Sequence, residues 1–118
     1  MASTGLYGPH QLNQQNINQY LAGKGPGVYV LDSTTDGNFK VDYVGRSDDD
    51  LPGRLKKWIG EGYAYFKYGY YKTMKAAFEK ECQIYHDFDP PDNIIHPDAP
   101  NGTNYVCPVS GCARAWNR

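Results

Sequence analysis

Val28-Tyr29-Val30-Leu31-Asp32 and Phe39-Lys40-Val41-Asp42-Tyr43-Val44 are two runs rich in β-branched and aromatic residues, held apart by Ser33-Thr34-Thr35-Asp36-Gly37-Asn38. Branched and aromatic side chains suit a pleated, half-buried surface, and Asp-Gly marks a turn because glycine takes a positive φ at little cost. The two runs therefore predict an antiparallel hairpin. On its C-terminal side, Ser47-Asp48-Asp49-Asp50 offers capping side chains, and Leu51, Leu55, Trp58 and Ile59 fall on one helical face with Pro52 in the first turn. This predicts a helix over about 50–60, ended by Gly60 and Gly62. The aromatic run Tyr63 to Tyr71 reads as a third strand. From Thr73 to about Asp87, Met74, Phe78, Cys82 and Tyr85 recur with helical spacing, which predicts the longest helix of the chain.

Before the hairpin, Leu12, Ile17, Tyr20 and Leu21 predict a short helix over about 10–22, stopped by Gly23, Gly25 and Pro26. Beyond Phe88, prolines at 90, 91, 97, 100 and 108 break regular structure. The expectation is one α+β domain over 1–118, with a small three-stranded, mostly antiparallel sheet flanked by helices. Within it, 1–25 is a polar segment with a short helix, 26–93 the core, and 94–118 a proline-broken tail.

The 118 residues are 40% hydrophobic, 14% aromatic and 21% charged, enough to bury a core and too apolar for a disordered chain. No apolar run approaches the ~20 residues that span a bilayer. Met1 to Gln19 has neither a charged n-region nor an apolar h-region, so a cytoplasmic location and no membrane partner are expected. The formal net charge of −1 argues against binding nucleic acid through bulk charge alone. A local basic face remains: residues 54–75 carry Arg54, Lys56, Lys57, Lys67, Lys72 and Lys75 against Glu61, a net +5 interleaved with five tyrosines. Such a face suits phosphates and unpaired bases.

Two phenols (Tyr29, Tyr43), two guanidinium groups (Arg46, Arg54) and the carboxylate of Glu81 suit phosphate chemistry. Glu79 competes with Glu81 for the carboxylate role. At ~100° per residue, Glu81 lies about 60° from the centre of the apolar helix face and Glu79 about 100°, which favours Glu81. Gly27-Val28-Tyr29 followed by Tyr43-Val44-Gly45 resembles the signature of the GIY-YIG nuclease family. Arg46, Arg54, Glu81 and Asn93 then match the family's basic residue, helix-borne arginine, glutamate and asparagine. The spacing from Glu81 to Asn93 is similar to that in the excision-repair incision nucleases.

The resemblance covers about residues 26–93 and implies a stand-alone endonuclease that hydrolyses DNA with one Mg²⁺ or Mn²⁺. By that resemblance, Glu81 would hold the metal, Tyr29 would activate or orient water, and Arg54 would stabilise the pentacovalent phosphate. Tyr43 and Arg46 would position the scissile phosphate. Two positions depart from the family pattern. Tyr43 to Arg54 is one residue longer than is common, and Trp58 stands where many members carry Tyr or His. An indole only donates, so it cannot accept a proton.

Two rival readings use the same residues: a catalytically weak module that binds nucleic acid or protein, and a zinc-stabilised interaction domain. A domain this small carries no obvious sequence-reading module, so a homodimer or a partner protein is a candidate source of specificity. Cys82 and His86 on one helix, with Cys107 and Cys112 in the tail, form a candidate structural Zn²⁺ set, in which His96 could take the place of His86. Without zinc, Cys82 would be a core residue and the two tail cysteines reduced or mutually bridged.

Overall fold

Every residue of β2 (Gly27–Asp32) is buried, because β2 has a hydrogen-bonded strand on each side and packed chain on each face. The structure is a computed structural model that describes residues 4–34, 38–109 and 112. Along the chain it orders β1 (Tyr7–Gln11), α1 (Gln14–Tyr20), β2, β3 (Tyr43–Ser47), α2 (Leu51–Lys56), β4 (Tyr65–Tyr70) and α3 (Met74–Phe88). The α+β class is as expected, but the sheet has four strands, in the order β1-β4-β2-β3. Each neighbouring pair is antiparallel.

The extra strand is β1. The expected helix over 10–22 shrinks to α1, capped by Asn13, whose side chain accepts from the Asn16 amide at 2.8 Å. His10 and Gln11 instead pair with Phe66 and Tyr65 of β4. β1 is polar and mostly exposed, so it carries little hydrophobic alternation, and pairing with β4 decides its conformation. The hairpin forms, but its second strand starts at Tyr43 rather than Phe39. Asp42 lies just before β3: its N–H still donates to the Leu31 carbonyl at 2.9 Å, and its carboxylate accepts from the amide and hydroxyl of Ser33, at 2.9 and 2.8 Å. The Asp36-Gly37 turn lies outside the described residues.

α2 ends at Lys56, short of the expected residue 60. Asp50 caps it by accepting from the Gly53 amide, and i→i+3 turns carry Trp58 and Glu61 onward. α3 matches expectation closely, capped by Thr73 and closed by Asp89 in the left-handed region.

One face of the sheet offers Tyr29, Leu31 and Phe66 to Ile17, Leu51 and Leu55 of α1 and α2. The other offers Val28, Val30 and Val44 to Ala77 and Ile84 of α3. These Val and Ile side chains are at most 1% exposed, so each contributes roughly 1.5–3 kcal/mol of burial. The outer side of α3, with Phe78 and Cys82, is covered by Cys107 and its neighbours in the tail. Among the described residues, no helix is long and apolar enough to cross a membrane.

Candidate active site

β3 is an edge strand, and the two glycines of the sequence signature show why the site forms beside it. Gly45 lies opposite Tyr29 in the register. A Cβ at Gly45 would collide with Cζ and Oη of Tyr29, so only glycine leaves space for the phenol to lie over β3 and reach its edge. Gly27 is equally confined, between Leu51 Cδ2 and the Gly69 carbonyl. It lets α2 pack down onto β2, which brings Arg54 and Trp58 to the same edge.

A cavity of about 350 Å³ opens there. Tyr29, Tyr43, Arg46, Arg54, Glu81 and Asn93 all line it, with Trp58 and the stretch Ile95-His96-Pro97-Asp98. All six sequence-predicted site residues are thus brought together. Tyr29, Tyr43, Arg54 and Trp58 come from the face that carries α1 and α2. Glu81 comes from α3 on the other face, and Asn93 from the segment after it.

Glu81 is only 8% exposed. Arg46 Nη1 donates to its Oε1 at 2.8 Å, and among the described residues Oε2 accepts no hydrogen bond. One carboxylate oxygen therefore remains for a cation or water in the cavity. Burial pushes the Glu81 carboxyl up to about 7, against the opposing pull of Arg46. Arg46 itself is held by protein: Nε donates to Asp48 at 2.6 Å and Nη1 also to the Asp98 carbonyl at 2.8 Å. It lies over the Phe78 ring, 5.4 Å from the centroid. Its geometry fixes Glu81, whereas Arg54, exposed and without a salt bridge among the described residues, is the guanidinium available to an incoming phosphate.

Trp58, which departs from the pattern of the resemblance, is bound to Tyr29. Its Nε1–H donates to the Tyr29 hydroxyl oxygen at 2.7 Å. It also packs between Tyr43 and Tyr63, with ring centroids 4.8 and 5.7 Å away. The indole cannot accept a proton, but it orients the phenol, and its N–H favours negative charge on that oxygen. Burial raises the pKa of Tyr29, with Tyr43 adding to the effect and the Trp58 hydrogen bond and Arg54 opposing it. Burial likewise raises Tyr43.

Asn93 clamps β3. Its Oδ1 accepts from the Val44 amide at 2.7 Å and its Nδ2 donates to the Val44 carbonyl at 2.9 Å. The lysines divide. Lys57 shares a groove with Arg54 and Met74, and Lys56 and Lys72 are exposed. Lys75 pairs with Glu79 at 2.6 Å. Lys67 alternates to the opposite face of β4 from Phe66 and Tyr68, where its Nζ sits 4.8 Å from the centroid of the Phe39 ring.

A second cluster lies behind the cavity wall. The ligand atoms of His86, His96, Cys107 and Cys112 all fall within 4.8 Å of one another. Three of the four residues chosen from sequence are present, but His96 replaces Cys82 and not His86. Cys82 is fully buried against Phe78 and Cys107. Its helix spacing from His86 could not reveal this, because the choice depends on how the strap after α3 folds back. No family model matches the chain, and neither a curated protein nor a solved structure does.

Proposed function

We propose that the protein is a divalent-cation-dependent endonuclease that hydrolyses DNA phosphodiester bonds at the β3-edge cavity. The observation that carries this reading is the convergence of Tyr29, Tyr43, Arg46, Arg54, Glu81 and Asn93 on one cavity from both faces of a sheet. A hard, single-carboxylate setting suits an ion that keeps several waters and shares a phosphate oxygen. Mg²⁺ or Mn²⁺ held through Glu81 would supply Lewis-acid polarisation of the phosphate and stabilise the departing oxygen. Tyr29, oriented by Trp58, holds the attacking water and takes part in its proton movement. Arg54 offsets the charge that builds on phosphorus-bound oxygens, and Tyr43 shapes the approach. Arg46 acts through Glu81, and Asn93 through β3. Zinc suits the sulfur and nitrogen cluster instead, in a structural role.

The test is cleavage of single-stranded, duplex and branched DNA with Mg²⁺ or Mn²⁺. Cutting that requires the cation and is lost in Arg54→Ala supports the reading. DNA binding with steep salt dependence and no cutting of any substrate would overturn it in favour of the binding module.

Two further results are expected. Trp58→Phe keeps the packing with Tyr43 but removes the N–H, and should slow cleavage about ten- to a hundredfold, as for a hydrogen bond to a developing charge. Comparing kcat with DNA affinity checks this, since binding should stay unchanged. Glu81 must be ionised to hold the cation, and its folded-state pKa lies near 7. At sub-saturating Mg²⁺, cleavage should therefore rise about tenfold per pH unit below that value and level off above it. Raising the Mg²⁺ concentration should move the midpoint to lower pH, because cation and proton compete for one carboxylate. A midpoint that ignores the Mg²⁺ concentration would remove Glu81 as the ligand.

A further inference from the structure

We infer that His86, His96, Cys107 and Cys112 hold one tetrahedral Zn²⁺ per chain, and that this ion fastens the segment Asn93–Asp98 as the outer wall of the cavity. The site stands apart from the nuclease reading; only its effect on cleavage rests on that reading.

The donor set comes first. Two imidazoles and two thiols are the mixed nitrogen and sulfur set that zinc takes in closed structural sites. Tetrahedral coordination at the usual Zn–N and Zn–S lengths puts nitrogen pairs about 3.3 Å apart and nitrogen–sulfur pairs about 3.5 Å apart. The His86 and His96 Nε2 atoms are 3.2 Å apart, and Cys112 Sγ lies 3.4 Å from His96 Nε2.

The tautomer of His96 is set correctly for a ligand. Its Nδ1 lies 2.8 Å from the Pro97 carbonyl oxygen. A carbonyl only accepts, so Nδ1 carries the proton and the neutral ring turns a bare Nε2 toward the cluster. Backbone carbonyls commonly orient a metal-binding imidazole in this way. Cys82 has a supporting part, since it packs against Cys107 from inside the core.

The surrounding chain explains what an ion would do there. Among the described residues beyond Asp89 there is no helix or strand, only turns such as Thr103 N–H to the Pro100 carbonyl. The cluster ties this irregular chain to the last turn of α3 through His86. It also ties down His96, and on either side of His96 the chain reaches the site. Asn93 holds both backbone groups of Val44, and the Asp98 carbonyl accepts from Arg46, the partner of Glu81. A zinc ion at His96 therefore restrains both supports at once, and its binding free energy becomes ordering free energy for the strap.

The experiment is elemental analysis of the untagged protein, followed by Co²⁺ reconstitution and limited proteolysis. One zinc per chain is expected, and the Co²⁺ form should show tetrahedral d–d bands with thiolate charge transfer. That charge transfer should fall by about half in Cys112→Ser, and His96→Ala should lose zinc. Cys82→Ala should keep it. Cys112→Ser and His96→Ala avoid the buried Cys107, so a variant that fails to fold does not decide the outcome. Chelated wild type should be cut within 89–109 at least about tenfold faster than the zinc form. A zinc-poor protein with no thiolate-to-Co²⁺ band, or zinc lost in Cys82→Ala and kept in His96→Ala, would overturn the ligand set. Equal cutting rates would overturn the fastening role. Absence of DNA cleavage by a zinc-loaded, protease-resistant protein would count against the nuclease reading alone.

Discussion

Glu81→Gln is expected to lower DNA cleavage by about a thousandfold while leaving DNA affinity nearly unchanged. Metal-assisted stabilisation of a phosphoryl transition state is worth several kcal/mol, and each ~1.4 kcal/mol is tenfold in rate. The amide is a better probe than alanine for a structural reason. Glu81 and Arg46 form an ion pair whose side chains are 10% and 12% exposed. Truncating Glu81 would take from Arg46 one of its two carboxylate partners, leaving Asp48, and would free the guanidinium to shift within the cavity wall. A glutamine oxygen can still accept from Arg46 Nη1, so loss of rate can be separated from loss of fold. Single-turnover cleavage and a thermal melt on the same sample check both. Retained cleavage would remove Glu81 from the chemistry.

The second large effect is expected at a residue with no functional group. Gly45→Ala places a Cβ against the Tyr29 ring tip, and the phenol must move or the strands must part. Overpacking of this kind costs about 1–3 kcal/mol. The loss of rate should be greater, about a hundredfold, because a misplacement near 1 Å at a reacting group has that effect. Pairing Gly45→Ala with Tyr29→Phe would separate the two effects. If the phenol's displacement is the cause, the alanine should add little to the rate loss of Tyr29→Phe. A fully additive rate loss would instead mean that Gly45 acts through β3 as a whole.

Much of this site is legible in the sequence, because its residues carry their own chemistry. Tyr29, Tyr43, Arg54 and Glu81 stand out by type and spacing, and the helical phase of α3 places Glu81 beside the apolar stripe. The elements that fail are those whose conformation depends on a distant partner. β1 is polar, and only its ladder with β4 makes it a strand. Gly45-Arg46-Ser47 has little strand character of its own, yet pairing with Gly27 and Val28 draws β3 on to Ser47. His96 joins the cysteines because proline-rich chain folds back across α3, a long-range event that no local period encodes. The part played by Trp58 is hidden for a similar reason. Its residue type announces a donor, but not that the acceptor is Tyr29 across the α2–sheet interface.

The amide of Asn93 has one more consequence. Spanning the N–H and C=O of Val44, it imitates a peptide group from an adjoining strand and closes the outer rim of the sheet at β3. A foreign chain seeking to extend the sheet there finds that docking point already occupied. Any assembly of copies by sheet continuation would have to proceed through β1, at the far rim, so that the β3-edge cavities of the two molecules would face outward, remote from the seam.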